Sequence, residues 1–430
     1  MGRLLTVMKH NLYILFLLLV AANTSVAQKK KNPQVLVYGS GILAFSAAVQ
    51  SAQSSVPTVW VVDSEALVPQ FSERAVEVEN ADGTDGGIWL DLLMDMALSK
   101  TRSDSLADVV KHDMSPRLFQ NAMERIINKQ QYLQIIRGRS IENLKKGKKN
   151  WQVTLNDKQK LDVMCLVDAS DDQPLWALSG LTGELQATAP LSAKDLSLVQ
   201  QRTLVASGGA DSVYAVQLKH LLAGQMENLF TLRGVQGIFG DRLEDAPLRS
   251  SVGQALGACA AYLAFFKQTA DKIDVRTVQM ELLTYGARIL PYQDVKIEDN
   301  NFLAVQKTGL AGILQGEHNG SQYRLRKDAK VRFDEIEPIF DQLYSRSQLW
   351  FLDNKGEFLR WKDFLSLIKF VGLRGDEVER QMEKDWSTKL KFDGAYDPEG
   401  LVQRYEFMVV LDRYATPFVK AVNQQGQFVQ

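Results

Sequence analysis

Cysteine is nearly absent from this chain of 430 residues: only Cys165 and Cys259 occur. That excludes a disulfide framework and a thiolate metal cluster. One lies in an apolar strand-like run and the other in an alanine-rich helical run, where buried free thiols are common, though a single bridge stays open in an oxidising compartment. Histidine is also scarce. Of the four, His112, His220 and His318 lie beyond the leading segment, and none has a partner at metal-ligand spacing, so no metal site is expected. A formal net charge of -1 disfavours a nucleic-acid surface.

Long hydrophobic runs are missing as well. Leu12 to Ala22 is too short for a comfortable membrane span. Arg3 and Lys9 precede it and Ser25-Val26-Ala27 follows, which reads as a secretory signal over residues 1–27 cleaved after Ala27, with an uncleaved anchor as the alternative. Removal leaves a net charge of -3 and an exported, periplasmic or extracellular protein. No cysteine follows the run, so a lipoprotein anchor is not indicated. The chain as a whole, 45 % hydrophobic and 23 % charged, is ordinary for a soluble globular protein of two or three domains.

The informative stretch runs from Val35 to Asp63, VLVYGSGILAFSAAVQSAQSSVPTVWVVD. It predicts a strand, a tight turn, a helix and a second strand ending on a carboxylate. Gly39 permits the sharp exit, Gly41 lets backbone approach a pyrophosphate beside Ser40, and Ala44 lets the helix lie close to the sheet. Asp63 stands about twenty residues on, where it can accept hydrogen bonds from ribose hydroxyls. A GxGxxA alone is a weak signal, but here both flanking strands and the acidic end agree.

Further along, helices are expected over 88–98 and 115–129, the second entered through Ser115-Pro116. Strands are expected over 132–137, 140–143 and 151–155, with Lys145 to Lys149 as a solvated hairpin turn, and Leu161 to Asp168 as one buried parallel strand. No strong period appears from 180 to 210, which suggests a reduced inserted subdomain near 180–215. Helices follow over 250–266 and 275–290, the latter capped by Asp274. Beyond Pro291 helical patterns dominate, over 302–314, 333–344 and 360–371, and a boundary is expected near 295. Asp353-Asn354-Lys355-Gly356 reads as a polar turn and not a calcium loop.

Four segments together resemble the bacterial FAD-dependent oxidoreductases of the glutathione-reductase-like fold, in particular the exported xanthan-lyase-like group. They are VYGSGILAFSAAVQSA; the hairpin and strand ending Leu166-Val167-Asp168-Ala169-Ser170; Glu227 to Gly234 with Arg249 to Gly257; and a tail, Tyr292 to Gly312 and Arg404 to Tyr414, similar to an S-layer-homology-like ending. The resemblance implies an α/β fold: a Rossmann-like FAD/NAD(P)-binding domain over 28–295, with a three-layer βαβ sheet and a β-hairpin insertion, and a mainly helical domain over 296–430. It implies FAD, with the pyrophosphate at Gly39, Ser40, Gly41 and Ala44 and the ribose at Asp63. Ile141 would lie near adenine, Ala169 and Ser170 beside the cofactor, and Gly253 and Gln254 would offer helix N–H groups to the flavin.

The departures from that family are specific. Leu67-Val68-Pro69-Gln70 stands where a double glycine is usual, Ser170 where threonine is, Asp171 and Leu232 where glycines are. Each adds a side chain where backbone should approach, and Asp171 adds an anion. Two functions therefore compete. One is an exported FAD-dependent oxidoreductase acting on a small-molecule or carbohydrate-related substrate, with His220 and Arg249 as candidates by position only. The other is a catalytically degenerate scaffold that contacts the cell envelope through its C-terminal domain. An NAD-dependent enzyme is weaker, because the later segments point to the flavin side.

Overall fold

Val35–Tyr38 (β1) is buried at every position because strands flank it on both sides. A computed structural model of the chain describes residues 32–180, 191–192, 196–223, 225–240, 243–319 and 322–429; the leader expected at 1–27 lies outside them. A helix over Ile42–Gln53 leads from β1 to Thr58–Val62 (β2), and β2 pairs with Leu133–Arg137 (β3). The meander Ile141–Lys146 (β4), Trp151–Leu155 (β5) and Lys160–Val163 (β6) follows. The chain then returns as Cys165–Asp168 (β7) on the other side of β1, so β7, β1, β2 and β3 are all parallel.

The apolar runs of the central strands divide alternately between two cores. Val35, Val37, Trp60, Val62 and Val167 face the helices, whereas Leu36, Tyr38, Val59, Val61 and Leu166 face the meander. The result is the expected α/β, Rossmann-like three-layer arrangement with its hairpin insertion. Leu161 to Asp168 is not one strand, however. It holds the edge of the meander and the start of β7, separated at Met164, where the N–H groups of Met164 and Cys165 both donate to the Gln34 carbonyl.

The stretch around 200 is more ordered than its weak period suggests. Leu191–Ser192 (β8), Leu204–Gly208 (β9) and Tyr214–Gln217 (β10) form a second, antiparallel sheet in the order β8-β10-β9, and β9 is buried throughout. Residues 181–190 and 193–195 of the expected subdomain lie outside the described residues. Gln225–Met226 (β11) and Leu229–Phe230 (β12) extend the main sheet beyond β7.

The long helix Ala246–Phe266 lies against the opening helix, running in the same direction. Gly253 approaches Leu43, Gly257 approaches Ala47, and the Ser46 and Ser250 hydroxyls are 2.7 Å apart. The next helix, Val275–Thr284, is capped by Asp274, whose carboxylate accepts from Thr277 N–H at 2.6 Å. It ends six residues before the expected position 290, because Gly286 turns with φ 77°.

The expected boundary near residue 295 does not separate two bodies; Pro33–Gln430 is one compact unit. Buried arginines tie the parts together. Arg288 bonds both oxygens of Asp104 at 2.7 and 2.8 Å and donates to the carbonyls of Asp85 and Val295. Arg202 and Arg276 donate to Ala311 and Leu310 carbonyls at the end of helix Phe302–Leu310, where the helix dipole favours cations. The same two guanidiniums stack on Phe428 and Phe418 of the final segment.

The helical tail hides a threefold pattern. Val331 N–H donates to Val402 O, Leu359 N–H to Val331 O and Val402 N–H to Leu359 O, a closed ring at 2.9–3.0 Å. Each residue stands two positions before a helix, Phe333–Leu343, Trp361–Gly372 or Arg404–Tyr414. The local sequences VRFDEI, LRWKDF and VQRYEF repeat one pattern, apolar, polar, large, any, acidic, apolar. In the first and third the acid closes on the helix entry, Glu335 accepting from Arg332 N–H and Glu406 from Gln403 N–H.

Candidate nucleotide site

The turn after β1 is built from two glycines in left-handed backbone, Gly39 at φ 116° and Gly41 at φ 99°. Gly39 is required by crowding: a Cβ there would stand 2.8 Å from Ser170 N and 3.0 Å from the Ala169 carbonyl carbon. Its carbonyl accepts from the Trp60 indole at 2.8 Å. Gly41 precedes the opening helix, whose first-turn N–H groups at Ile42 and Leu43 donate to no described residue. Ser40 is half-buried on the turn, and Ala44 is wholly buried where the helix meets the sheet.

Asp63 directly follows β2, exposed and paired with no described residue. Arg139 N–H donates to Val62 O at 3.1 Å, so the chain entering the meander passes beside that carboxylate, two residues before Ile141. Ile141 itself is buried in the meander-side core. At the end of β7, Ala169 N–H donates to Tyr38 O at 2.8 Å. Gly39, Gly41, Ala169 and Ser170 are therefore brought together, with Asp63 and Ile141 at the adjoining strand end.

Gly253 and Gln254 have other work. The long helix begins at Ala246, so their N–H groups lie inside it and are not presented at a helix N-terminus. A Cβ on Gly253 would collide with the Leu43 carbonyl. Gln254 is buried, donates to Gln50 Oε1 at 2.8 Å and accepts from Ile88 N–H at 3.3 Å, joining three helices. His220 is also structural: it accepts from Gln217 N–H through Nδ1, and burial, with Lys219 nearby, pushes it down to about 4.

The departures from the family motif have physical counterparts. The Leu67–Phe71 segment crosses the turn: Leu67 O takes the Gly41 N–H at 2.8 Å, and the Gln70 amide lies 2.9 Å from where a Gly41 Cβ would be. Asp171 is not a free anion, because Arg249, stacked on Phe239, binds it at 2.9 Å. Leu232 is buried, its N–H donating to Gln173 Oε1. Asp168 accepts from the Ser170 hydroxyl at 2.6 Å and Leu175 N–H at 2.8 Å, and burial pushes its carboxyl up to about 6. Burial, with Asp63, Asp168 and Asp172 close by, pushes Tyr38 up to about 12. Trp60 and Gln70 were not foreseen as parts of the turn. Nothing local marks the first among its valines, and only the missing double glycine hints at the second.

The donor set thus fits the diphosphate and ribose end of a dinucleotide, and the flavin end lacks the helix N–H groups the resemblance implies. No known protein family and no curated protein matches the sequence. Among solved structures, HlmI is similar at 15 % identity over 32 % of this chain and 35 % of its own, with a TM-score of 0.22. The bacillithiol disulfide reductase Bdr (YpdA) of Staphylococcus aureus is similar at 12 % over 39 % and 44 %, with a TM-score of 0.24. OTEMO, solved in complex with FAD and NADP, is similar at 11 % over 33 % and 26 %, with a TM-score of 0.23. The chain spans less than half the length of each.

Proposed function

We propose that this is an exported FAD-binding protein of the FAD-dependent oxidoreductase type, related to the xanthan-lyase-like group. The observation that carries this reading is the turn itself. Two left-handed glycines stand before a twelve-residue helix with unspent first-turn N–H groups, and an unpaired carboxylate follows the next strand. A diphosphate there gains N–H donors and the positive end of a helix dipole. Gly39, Ser40, Gly41 and Ala44 would hold it, Asp63 would accept from the ribose, Ile141 would lie toward adenine, and Ala169 and Ser170 would border the remainder. Bound there, FAD would supply hydride chemistry toward a small-molecule or carbohydrate-related substrate.

The test is colour and titration. The purified protein should carry or take up FAD, and Gly41→Ala should weaken uptake at least about tenfold, since a methyl group enters the phosphate's approach. The Gln70 amide that a methyl group would meet is the end of a flexible side chain, but at φ 99° alanine also strains the backbone by about 1–3 kcal/mol, so uptake is compared in protein that a urea titration shows to be folded. A colourless protein that cannot be reconstituted rejects this reading.

One observation favours the second reading, a non-catalytic scaffold: the Gly41 N–H is already spent on Leu67 O and the flavin-side Gly253 on helix packing. In that case residues 296–430 would carry the function through contact with the cell envelope. Binding of envelope polysaccharide by a protein without flavin would support it.

A further inference from the structure

We propose that Arg202 and Arg276 form a buried receptor for one small monovalent anion of the chloride kind, closed over by the final segment of the chain. The two residues are 1 % and 8 % exposed. Arg276 spends Nε on the Lys420 carbonyl at 3.1 Å and Nη1 on the Leu310 carbonyl and Gln279 Oε1 at 3.0 and 2.8 Å. Its Nη2 is sealed from solvent and has no partner among the described residues. Arg202 spends its three nitrogens on the carbonyls of Ala311, Gly426 and Gly312, and its own carbonyl lies 3.5 Å from Arg276 Nη1. Every one of these partners is neutral.

The pair lacks a carboxylate. Around it pack the entry to β9, helix Val275–Thr284, the end of helix Phe302–Leu310 and the final segment. Residues 196–210, 301–316 and 414–430 contain no aspartate or glutamate. The helix and its cap bring two, but Asp274 is spent on Thr277 N–H at 2.6 Å, and Glu281 lines a groove beside Tyr262 and Phe265. The other buried arginines of the described residues are neutralised, Arg288 by Asp104 and Arg404 by Glu335. These two stand apart.

Helix-end carbonyls offset part of the charge, yet two buried cations that repel each other and hold an unspent N–H still favour a counter-ion. Burial, with Arg202 beside it, pulls the Arg276 guanidinium down to about 9, and burial takes Arg202 down to about 10. Phe428 and Phe418 lie 4.0 and 4.8 Å over the two guanidiniums, and the hairpin that carries Phe428 is closed by Val429 N–H on Ala421 O at 3.0 Å and Asn423 N–H on Gln427 O at 2.9 Å. Rings and carbonyls crowd the rest of each guanidinium, so the ion is small and enters as the hairpin closes. The site uses none of the residues of the glycine turn and stands whether or not the protein binds FAD.

Thermal midpoints of the protein in sodium chloride and in sodium gluconate, at one ionic strength so that screening is equal, test the proposal. Chloride should raise the midpoint by about 3 °C when it stands in hundredfold excess over its dissociation constant. Arg276→Gln should abolish the difference between the two salts. Crystals of the unaltered protein in sodium bromide should show an anomalous peak in contact with Arg276 Nη2, a result that does not depend on whether the variant folds. Equal midpoints in the two salts overturn the proposal. So does density at Nη2 that carries no bromide signal and is a water or a carboxylate of the chain.

Discussion

Gly253 gives the sharpest test of which residues serve a cofactor and which serve the fold. Its missing Cβ would lie 2.9 and 3.0 Å from the carbonyl carbon and Cα of Leu43, and closer still to the carbonyl oxygen. Carbon atoms rest at about 3.5–4.0 Å, so a side chain there pushes the two helices apart by about 0.5–1 Å and forfeits a quarter to a half of each dispersion contact along the seam. Overpacking of this kind costs about 1–3 kcal/mol. Alanine would recover roughly 0.8–1.0 kcal/mol through helix propensity, which blurs the result, so valine is the better probe. Gly253→Val should lower the free energy of unfolding by about 1–3 kcal/mol, read from urea midpoints at constant slope. Gly257→Val, against Ala47, should do the same. FAD affinity of the folded fraction should not change in either. A Gly253→Val protein of unchanged stability that loses FAD would refute the packing argument and restore this glycine to the cofactor.

Replacing Arg288 by Met strands Asp104 without its cation and should cost about 3–5 kcal/mol in a urea titration, whereas adding Asp104→Leu should return much of it. Asp168 sets a pH dependence. Its folded value of about 6 stands above an unfolded value of about 3.9, so the folded state holds the proton more tightly. That contribution is present below about pH 4 and is lost as pH rises through 6. Relative to the native protein, Asp168→Asn should gain on the order of 3 kcal/mol between pH 4 and pH 7; parallel pH profiles would show that Asp168 does not titrate in this way.

How much was legible depended on whether a residue's neighbours lie near it in sequence. The turn from Tyr38 to Ala44 and the meander strand Trp151–Leu155 were readable because glycine spacing and alternation are local signals. Leu161 to Asp168 misled because an edge strand, alternating between exposed Lys160 and Asp162 and buried Leu161 and Val163, abuts a fully buried central strand with one residue between them. Leu204–Gly208 was missed because a fully buried strand of five residues has no alternation to detect. Gly253 was assigned to the cofactor because a glycine needed for backbone approach looks the same whether the approaching backbone is a ligand's neighbour or another helix. The cover over Gly41 could not be read at all, since it depends on where Leu67 points its carbonyl.

The ring formed by Val331, Leu359 and Val402 has a bearing on the order in which the protein comes into being. Each member donates to one partner and accepts from the other, and two of the three bonds need Val402. A ribosome must deliver residue 402 before it can close, and the phenylalanines that cover Arg276 and Arg202 arrive later still, at 418 and 428. Contacts of such long sequence separation form late. The closure of the tail and the cover over the two buried arginines therefore wait on the last stretch of the chain, whatever forms before it.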